Sequence, residues 1–160
     1  MPAWAACASP LRHEPITTVL LRSEGTLLPR PMLALHAGTT APAQFVFDLG
    51  RLRGFDGILA FVISGAAAWV ERGTQETVRA TLAQATAALG PELKGPLTVL
   101  RTFTERRATF LCTPGLERPS ARIADGLFAA GDYVAGPYPA TLEGAVRSGV
   151  GAVLELASAR

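Results

Sequence analysis

Cysteine is almost missing from this chain. Cys7 and Cys112 are its only two in 160 residues, so no disulfide framework organises it, and the pattern fits free thiols in a reducing compartment. Lysine is scarcer: Lys94 is the only one among 15 basic residues, a bias that reflects GC-rich coding more than chemistry. The net charge is only +2, and no Lys/Arg cluster is interleaved with aromatics, which excludes the electrostatic footprint of a nucleic-acid binder. The opening Met1-Pro-Ala-Trp-Ala-Ala-Cys-Ala-Ser9 has no basic region and too short an apolar stretch for a secretory signal. Long hydrophobic runs are absent as well. The longest, Ile58 to Val70, is broken by Ser64 and Gly65 and is too short to span a bilayer. A cytoplasmic location is expected, and the composition is compatible with peripheral contact at a membrane surface.

The motifs of protein-borne catalysis are lacking too. There is no His-Glu-x-x-His, no Cys-x-x-Cys and no Walker loop, and Ser64 and Ser148 lack the flanking glycines of a nucleophile elbow. Cys112 has no identifiable base, since His13 and His36 lie in distant segments; it reads as a small apolar residue. A Gly-x-Gly-x-x-Gly turn is also missing. Gly50, Gly54 and Gly57 are spaced differently and precede Ile58-Leu-Ala-Phe-Val-Ile63, a strand rather than a helix. No metal-ligating group of residues is visible.

What is present is greasy: 49% of residues are apolar and 18% charged. The length suits a single domain's worth of chain. Strands are expected over Pro15–Arg22, Met32–His36, Gln44–Asp48 and Ile58–Ile63, with a loop bracketed by Gly50, Gly54 and Gly57. Thr74 to Leu89 is the clearest helix, with Val78, Leu82, Ala85 and Leu89 at helical spacing, Thr74 as N-cap, and Gly90-Pro91 as its stop. A long extended segment follows over Leu97–Phe110, with Leu100, Thr102 and Thr104 on one side and Val99, Arg101, Phe103 and Glu105 on the other. Residues 111–125 read as loop. A buried strand over Leu127–Ala130 and a helix over Ala140–Ala157 complete the chain. The order implies an α+β fold with a mostly antiparallel sheet and one main helix.

Residues 126–149 hold the strongest chemical signal. Gly126-Leu-Phe-Ala-Ala-Gly-Asp-Tyr133 reads as a strand ending in a carboxylate, and Pro139-Ala-Thr-Leu-Glu-Gly-Ala-Val-Arg-Ser-Gly149 as a helix opening on Pro139. Asp132 at a strand end can accept hydrogen bonds from ligand hydroxyls, and Gly131 allows close backbone approach. On spacing alone, a solvated loop carboxylate explains Asp132 as well. The N–H groups of Thr141 and Leu142 would lack intrahelical partners, and Glu143 complements the positive helix end. Gly144, Gly149 and Gly151, with Ala145, Ser148 and Ala152, make an unusually small-residued helix. Each interior glycine costs about 1 kcal/mol relative to alanine, so close approach of a backbone or ligand is expected there.

These segments, with Glu14-Pro-Ile-Thr-Thr18, Gln44-Phe-Val-Phe-Asp48 and Arg106-Arg107-Ala-Thr-Phe110 followed by Cys112-Thr-Pro-Gly115, resemble the C-terminal part of FAD-dependent amine-oxidase-type oxidoreductases. Phytoene-desaturase-like enzymes belong to this group, and the nearest likeness is to squalene-associated desaturases, the hydroxysqualene dehydroxylases of hopanoid synthesis. The likeness runs from about Glu14 to the C-terminus. It implies FAD as cofactor, with Gly131, Asp132 and Tyr133 at the ribityl chain. Pro139, Ala140, Thr141, Leu142, Gly144 and Ala145 would lie at the flavin edge and along the helix that packs on the dinucleotide-binding region. It further implies a lead-in over 1–13, a substrate-side sheet and helix over 14–122, and the last strand and helix of a Rossmann-like FAD domain over 123–160. The N-terminal half of that domain, with the Gly-rich turn for ADP, is then expected outside this polypeptide, as in a truncated or split gene.

The implied activity is oxidoreduction of an isoprenoid lipid, with Phe45, Phe47 and Phe61 as candidates for the wall of a hydrocarbon tunnel or for an ordinary core. Related sequences often read Asp-Arg-Gly where this chain has Asp48-Leu49-Gly50, which leaves carotenoid-type desaturation and amine oxidation open. The partners implied are the missing dinucleotide-binding region or a second copy, and a lipophilic small molecule. Taken alone, the 160-residue chain is expected to bind FAD weakly or not at all and to be inactive, or to act as a non-catalytic interaction module.

Overall fold

A computed structural model describes residues 2–158. In chain order the elements are α1 (Pro2–Ala8), β1 (His13–Arg22), β2 (Met32–Ala34), β3 (Phe45–Asp48), α2 (Leu49–Arg53), β4 (Ile58–Ile63), α3 (Ala67–Arg72) and α4 (Thr74–Leu89). They continue with β5 (Thr98–Phe110), β6 (Arg122–Ala124), β7 (Leu127–Phe128) and α5 (Leu142–Ser158). The architecture is α+β. Two compact units divide the chain, Glu14–Arg106 and the combination of Met1–His13 with Arg107–Arg160. The division thus falls within β5.

In the Glu14–Arg106 unit the strand order is β2-β3-β4-β1-β5. The pairs β1–β4, β2–β3 and β3–β4 are antiparallel. Strict alternation sets the two faces of this sheet. Val19, Leu21, Val46, Leu59, Phe61 and Ile63 are completely buried on one face, against Trp69 of α3 and Ala80, Ala85 and Leu89 of α4. The register places Phe61 opposite both Val19 and Val46, so its ring is at the centre of this core. Burial of such a side chain contributes about 1.5–3 kcal/mol. Phe45, Phe47 and Met32 take the opposite face, with Phe45 opposite Val62 and Phe47 opposite Ala60 and Met32. Phe45 and Met32 are exposed there. Phe61 therefore belongs to the core and is separated by the pleat from the other two phenylalanines.

Thr17 and Thr104 share a 2.7 Å hydroxyl hydrogen bond, which fixes Thr104 on the helix-covered face and, by alternation, Phe103, Arg101 and Val99 on the other. Two of the buried polar side chains that organise this unit are Asp48 and Gln84, and both are satisfied. Asp48 accepts from Leu28 N at 2.9 Å and from Arg51 N at 3.1 Å, capping α2. Gln84 accepts from Ala43 N and donates to the Ala43 and His36 carbonyls, tying α4 to the β2–β3 connection.

Several local expectations are corrected. The stretch read as a glycine-bracketed loop contains α2, started by Asp48 and stopped by Gly54 at φ 75; five residues are too few to show helical periodicity. The run after Ile63 turns at Gly65 (φ 59) into α3. Helix α4 has the expected bounds, but Gly73 rather than Thr74 occupies its N-cap, without a side-chain cap bond. Thr77 bonds the Trp69 and Gly73 carbonyls instead, which stitches α3 to α4.

In the other unit, β6 and β7 form a two-stranded antiparallel hairpin with an irregular register. The expected buried strand over Leu127–Ala130 is thus two residues long, and Leu127 is exposed; burial is confined to Ala129 nearby. The loop expected over 111–125 contains β6. Among the described residues no helix is long and apolar enough to cross a membrane.

Candidate functional site

The residues singled out after β7 converge on the first turns of α5. Ser148, two turns into this helix, accepts from Gly131 N at 2.8 Å, and its hydroxyl proton faces the Gly131 and Ala145 carbonyls at 2.9 and 2.8 Å. This clasp holds the Gly131–Asp132 backbone on the helix. A Cβ on Gly131 would stand 2.5 Å from the Tyr133 ring, so Gly131 is glycine because Tyr133 folds back over it. Asp132 is half-buried, and its carbonyl accepts from Ala140 N at 3.4 Å.

Pro139 is not the first helical residue. It sits in a turn between Tyr138 and Ala140, both at φ 57, a left-handed conformation that costs an L-residue about 1–2 kcal/mol. Helix α5 starts instead at Leu142. Thr141 is its cap: its hydroxyl donates to Tyr138 O at 2.7 Å and accepts from Gly144 N at 3.0 Å, while its carbonyl accepts from Ala145 N. Thr141 therefore turns its side chain to the helix, and the N–H groups without intrahelical acceptors are those of Leu142 and Glu143. Among the described residues Leu142 is the most exposed large apolar side chain, at 89%.

Gly144 is buried, and a Cβ there would approach Tyr138 O to 2.2 Å. The close approach expected of a helical glycine is made by the strained corner of the same chain. Gly149 and Gly151 have no neighbour near a Cβ position. Arg147 bonds Glu143 and stacks over the Tyr138 ring at 5.0 Å, bracing the corner from outside.

A cavity of about 200 Å³ opens beside this arrangement, lined among others by Asp132, Gly144, Arg147, Ser148, Gly151 and Glu155. Ligand pockets usually hold about 300–1,000 Å³, so these residues form one wall of a site and not an enclosure. That wall offers carboxylate acceptors, a guanidinium and a glycine-floored crevice. Among the described residues no group of His, Cys, Asp and Glu is arranged to hold a metal ion.

Sequence reasoning missed two residues. Ser148 entered only as another small side chain, although a hydroxyl one turn from Gly144 was the available signal. Arg118, in the segment read as loop, donates to the Val134 and Gly136 carbonyls and fixes the chain between Asp132 and α5; nothing local marked it.

No curated protein matches this chain. The sequence profile of the flavin containing amine oxidoreductases, in contrast, matches residues 8–156, covering all of β1 to β7 and most of α5. The chain belongs to the flavin containing amine oxidoreductase family.

Proposed function

We propose that this chain supplies the flavin-facing wall and the substrate-side sheet of an FAD-dependent oxidoreductase acting on an isoprenoid lipid, in the manner of the hydroxysqualene dehydroxylases. The observation that carries the proposal is the Ser148 clasp, which ties Gly131, the neighbour of Asp132, to α5 within a chain of a flavin family. The residues present fit the ribityl and ring end of FAD. Asp132 accepts from ribityl hydroxyls. The Leu142 and Glu143 N–H groups would serve the pyrimidine edge, where negative charge collects on reduction. Gly144 keeps the helix start free of side chain. The bound flavin would supply the hydride chemistry, for which this sequence carries no recognisable acid–base or nucleophile motif.

ADP binding needs a Gly-x-Gly-x-x-Gly region that these 160 residues lack, and that region is the partner the reading requires. The lipophilic substrate is read from the sheet. Its face opposite the helices carries Met32, Phe45, Phe47, Val62, Val99 and Phe103, a surface suited to hydrocarbon. Leu49 in place of the arginine of related sequences keeps carotenoid-type and amine substrates as alternatives within the same test.

The test is flavin titration of the purified chain, alone and with the dinucleotide-binding region of an amine-oxidase-family protein. Weak binding alone, tight binding in the mixture and its loss in Asp132→Ala are expected. No gain on mixing would leave a non-catalytic interaction module. With flavin bound and reduced, reoxidation by hydroxysqualene supports the isoprenoid reading, whereas reduction of the oxidised flavin by an amine selects the alternative.

A further inference from the structure

Thr17 and Thr18 are neighbours in β1, and the pleat sends them to opposite faces of the sheet. Thr17 is buried on the helix-covered side, where its hydroxyl is spent on Thr104. Thr18 is half-buried on the reverse side, and among the described residues no group hydrogen-bonds its hydroxyl.

The register shows what surrounds that hydroxyl. Ala34, Phe45, Val62 and Thr18 form one row across β2, β3, β4 and β1. The next row, from Met32 to Leu20, contains apolar residues alone. Thr18 is thus the one hydrogen-bonding side chain in these two rows. The strand needs only a β-branched residue there, and valine would meet that need as well. What threonine adds is a group that both donates and accepts.

Water serves that group while the face is wet. Once a hydrocarbon lies across the face the water is displaced, and a hydroxyl left without a partner carries its full desolvation cost. A lipid whose chain bears a hydroxyl at that point satisfies Thr18 and is satisfied in return, whereas the plain hydrocarbon strands it. We infer that Thr18 is a specificity-determining residue of the lipophilic face: it selects a lipid alcohol over the corresponding hydrocarbon and fixes where along the row the alcohol sits. The inference rests on the proposed reading of that face as the substrate surface. In a reaction that removes the hydroxyl, the same contact holds substrate better than product and so favours product release.

The test is competition of farnesol and of farnesene against a fluorescent polyene on the full chain, in native, Thr18→Val, Thr18→Ser and Phe45→Ala forms. Thr18→Val should lower the farnesol-to-farnesene affinity ratio roughly five- to tenfold, and Thr18→Ser should keep the native ratio. Phe45→Ala should weaken both ligands alike, which places them on this face. A ratio unchanged in Thr18→Val while both ligands bind, or lowered as much by Phe45→Ala, overturns the assignment of Thr18 and leaves the lipid surface standing. Binding of neither ligand, or binding indifferent to Phe45→Ala, overturns the lipid reading of the face and the assignment with it.

Discussion

Replacing Asp48 by alanine tests whether the buried end of β3 organises the substrate-side unit. Its carboxylate is completely buried and holds two backbone donors, Leu28 N at 2.9 Å and Arg51 N at 3.1 Å. An unsatisfied buried donor costs about 1–3 kcal/mol, and the same substitution removes the α2 cap. The expected loss is therefore about 3–5 kcal/mol, a large fraction of the roughly 5–15 kcal/mol that holds a domain together. Neighbouring groups offer little compensation. Arg51 Nε already donates to Leu28 O at 2.6 Å, and a Cβ on Gly50 would meet Asp48 Oδ1 at 3.0 Å, so the corner has no slack for repacking. Asp48→Asn keeps the shape and one acceptor and should lose about half as much. Urea unfolding followed by far-UV circular dichroism measures both variants. A loss below about 1 kcal/mol in Asp48→Ala would refute the claim that this carboxylate pins the corner.

The other expectations are compact. Phe61→Ala should cost about 3–5 kcal/mol, whereas Phe45→Ala should cost less than about 1 kcal/mol but weaken binding of a fluorescent polyene; thermal melts and polyene titration separate the two. Ser148→Ala should lower stability by about 1–2 kcal/mol and raise protease sensitivity between residues 131 and 140, read by limited proteolysis. Ala140→Gly relieves a left-handed alanine and should stabilise the chain by up to about 1 kcal/mol, seen as a higher melting temperature. Gln84→Leu strands the Ala43 N–H and two carbonyls, and a loss of about 2–4 kcal/mol is expected in the same melts.

Much of the fold was legible because its main elements follow simple periods. The strand Ile58–Ile63 and the helix Thr74–Leu89 have the bounds the residue pattern indicates, and the alternation along β5 sorts its residues to the faces the Thr17–Thr104 bond requires. Helices α2 and α3 escaped because each is shorter than two turns and is set by a cap or a glycine turn instead of a repeat. β7 was overread: apolar residues at 127–130 look like a buried strand, yet the chain there only closes a hairpin. In the candidate site, Gly131 and the small residues of α5 stood out by type, whereas spacing alone left Asp132 open to a solvated-loop reading. The register of the helix start was not, since Pro139 resembles a first helical residue and only the hydroxyl geometry of Thr141 shows otherwise. Long-range partners such as Ser148 for Gly131 and Arg118 for Val134 leave no trace in a local pattern.

Helices α3 and α4 pack on one side of the five-stranded sheet, and the reverse side keeps Met32 and Phe45 in contact with solvent. A surface of that kind adsorbs whatever amphiphile is at hand, so preparations of this protein should carry detergent or host lipid through purification. Mass spectrometry of organic extracts from the purified chain would then read out the chain lengths and polarities that the bare side prefers, before any substrate is assigned.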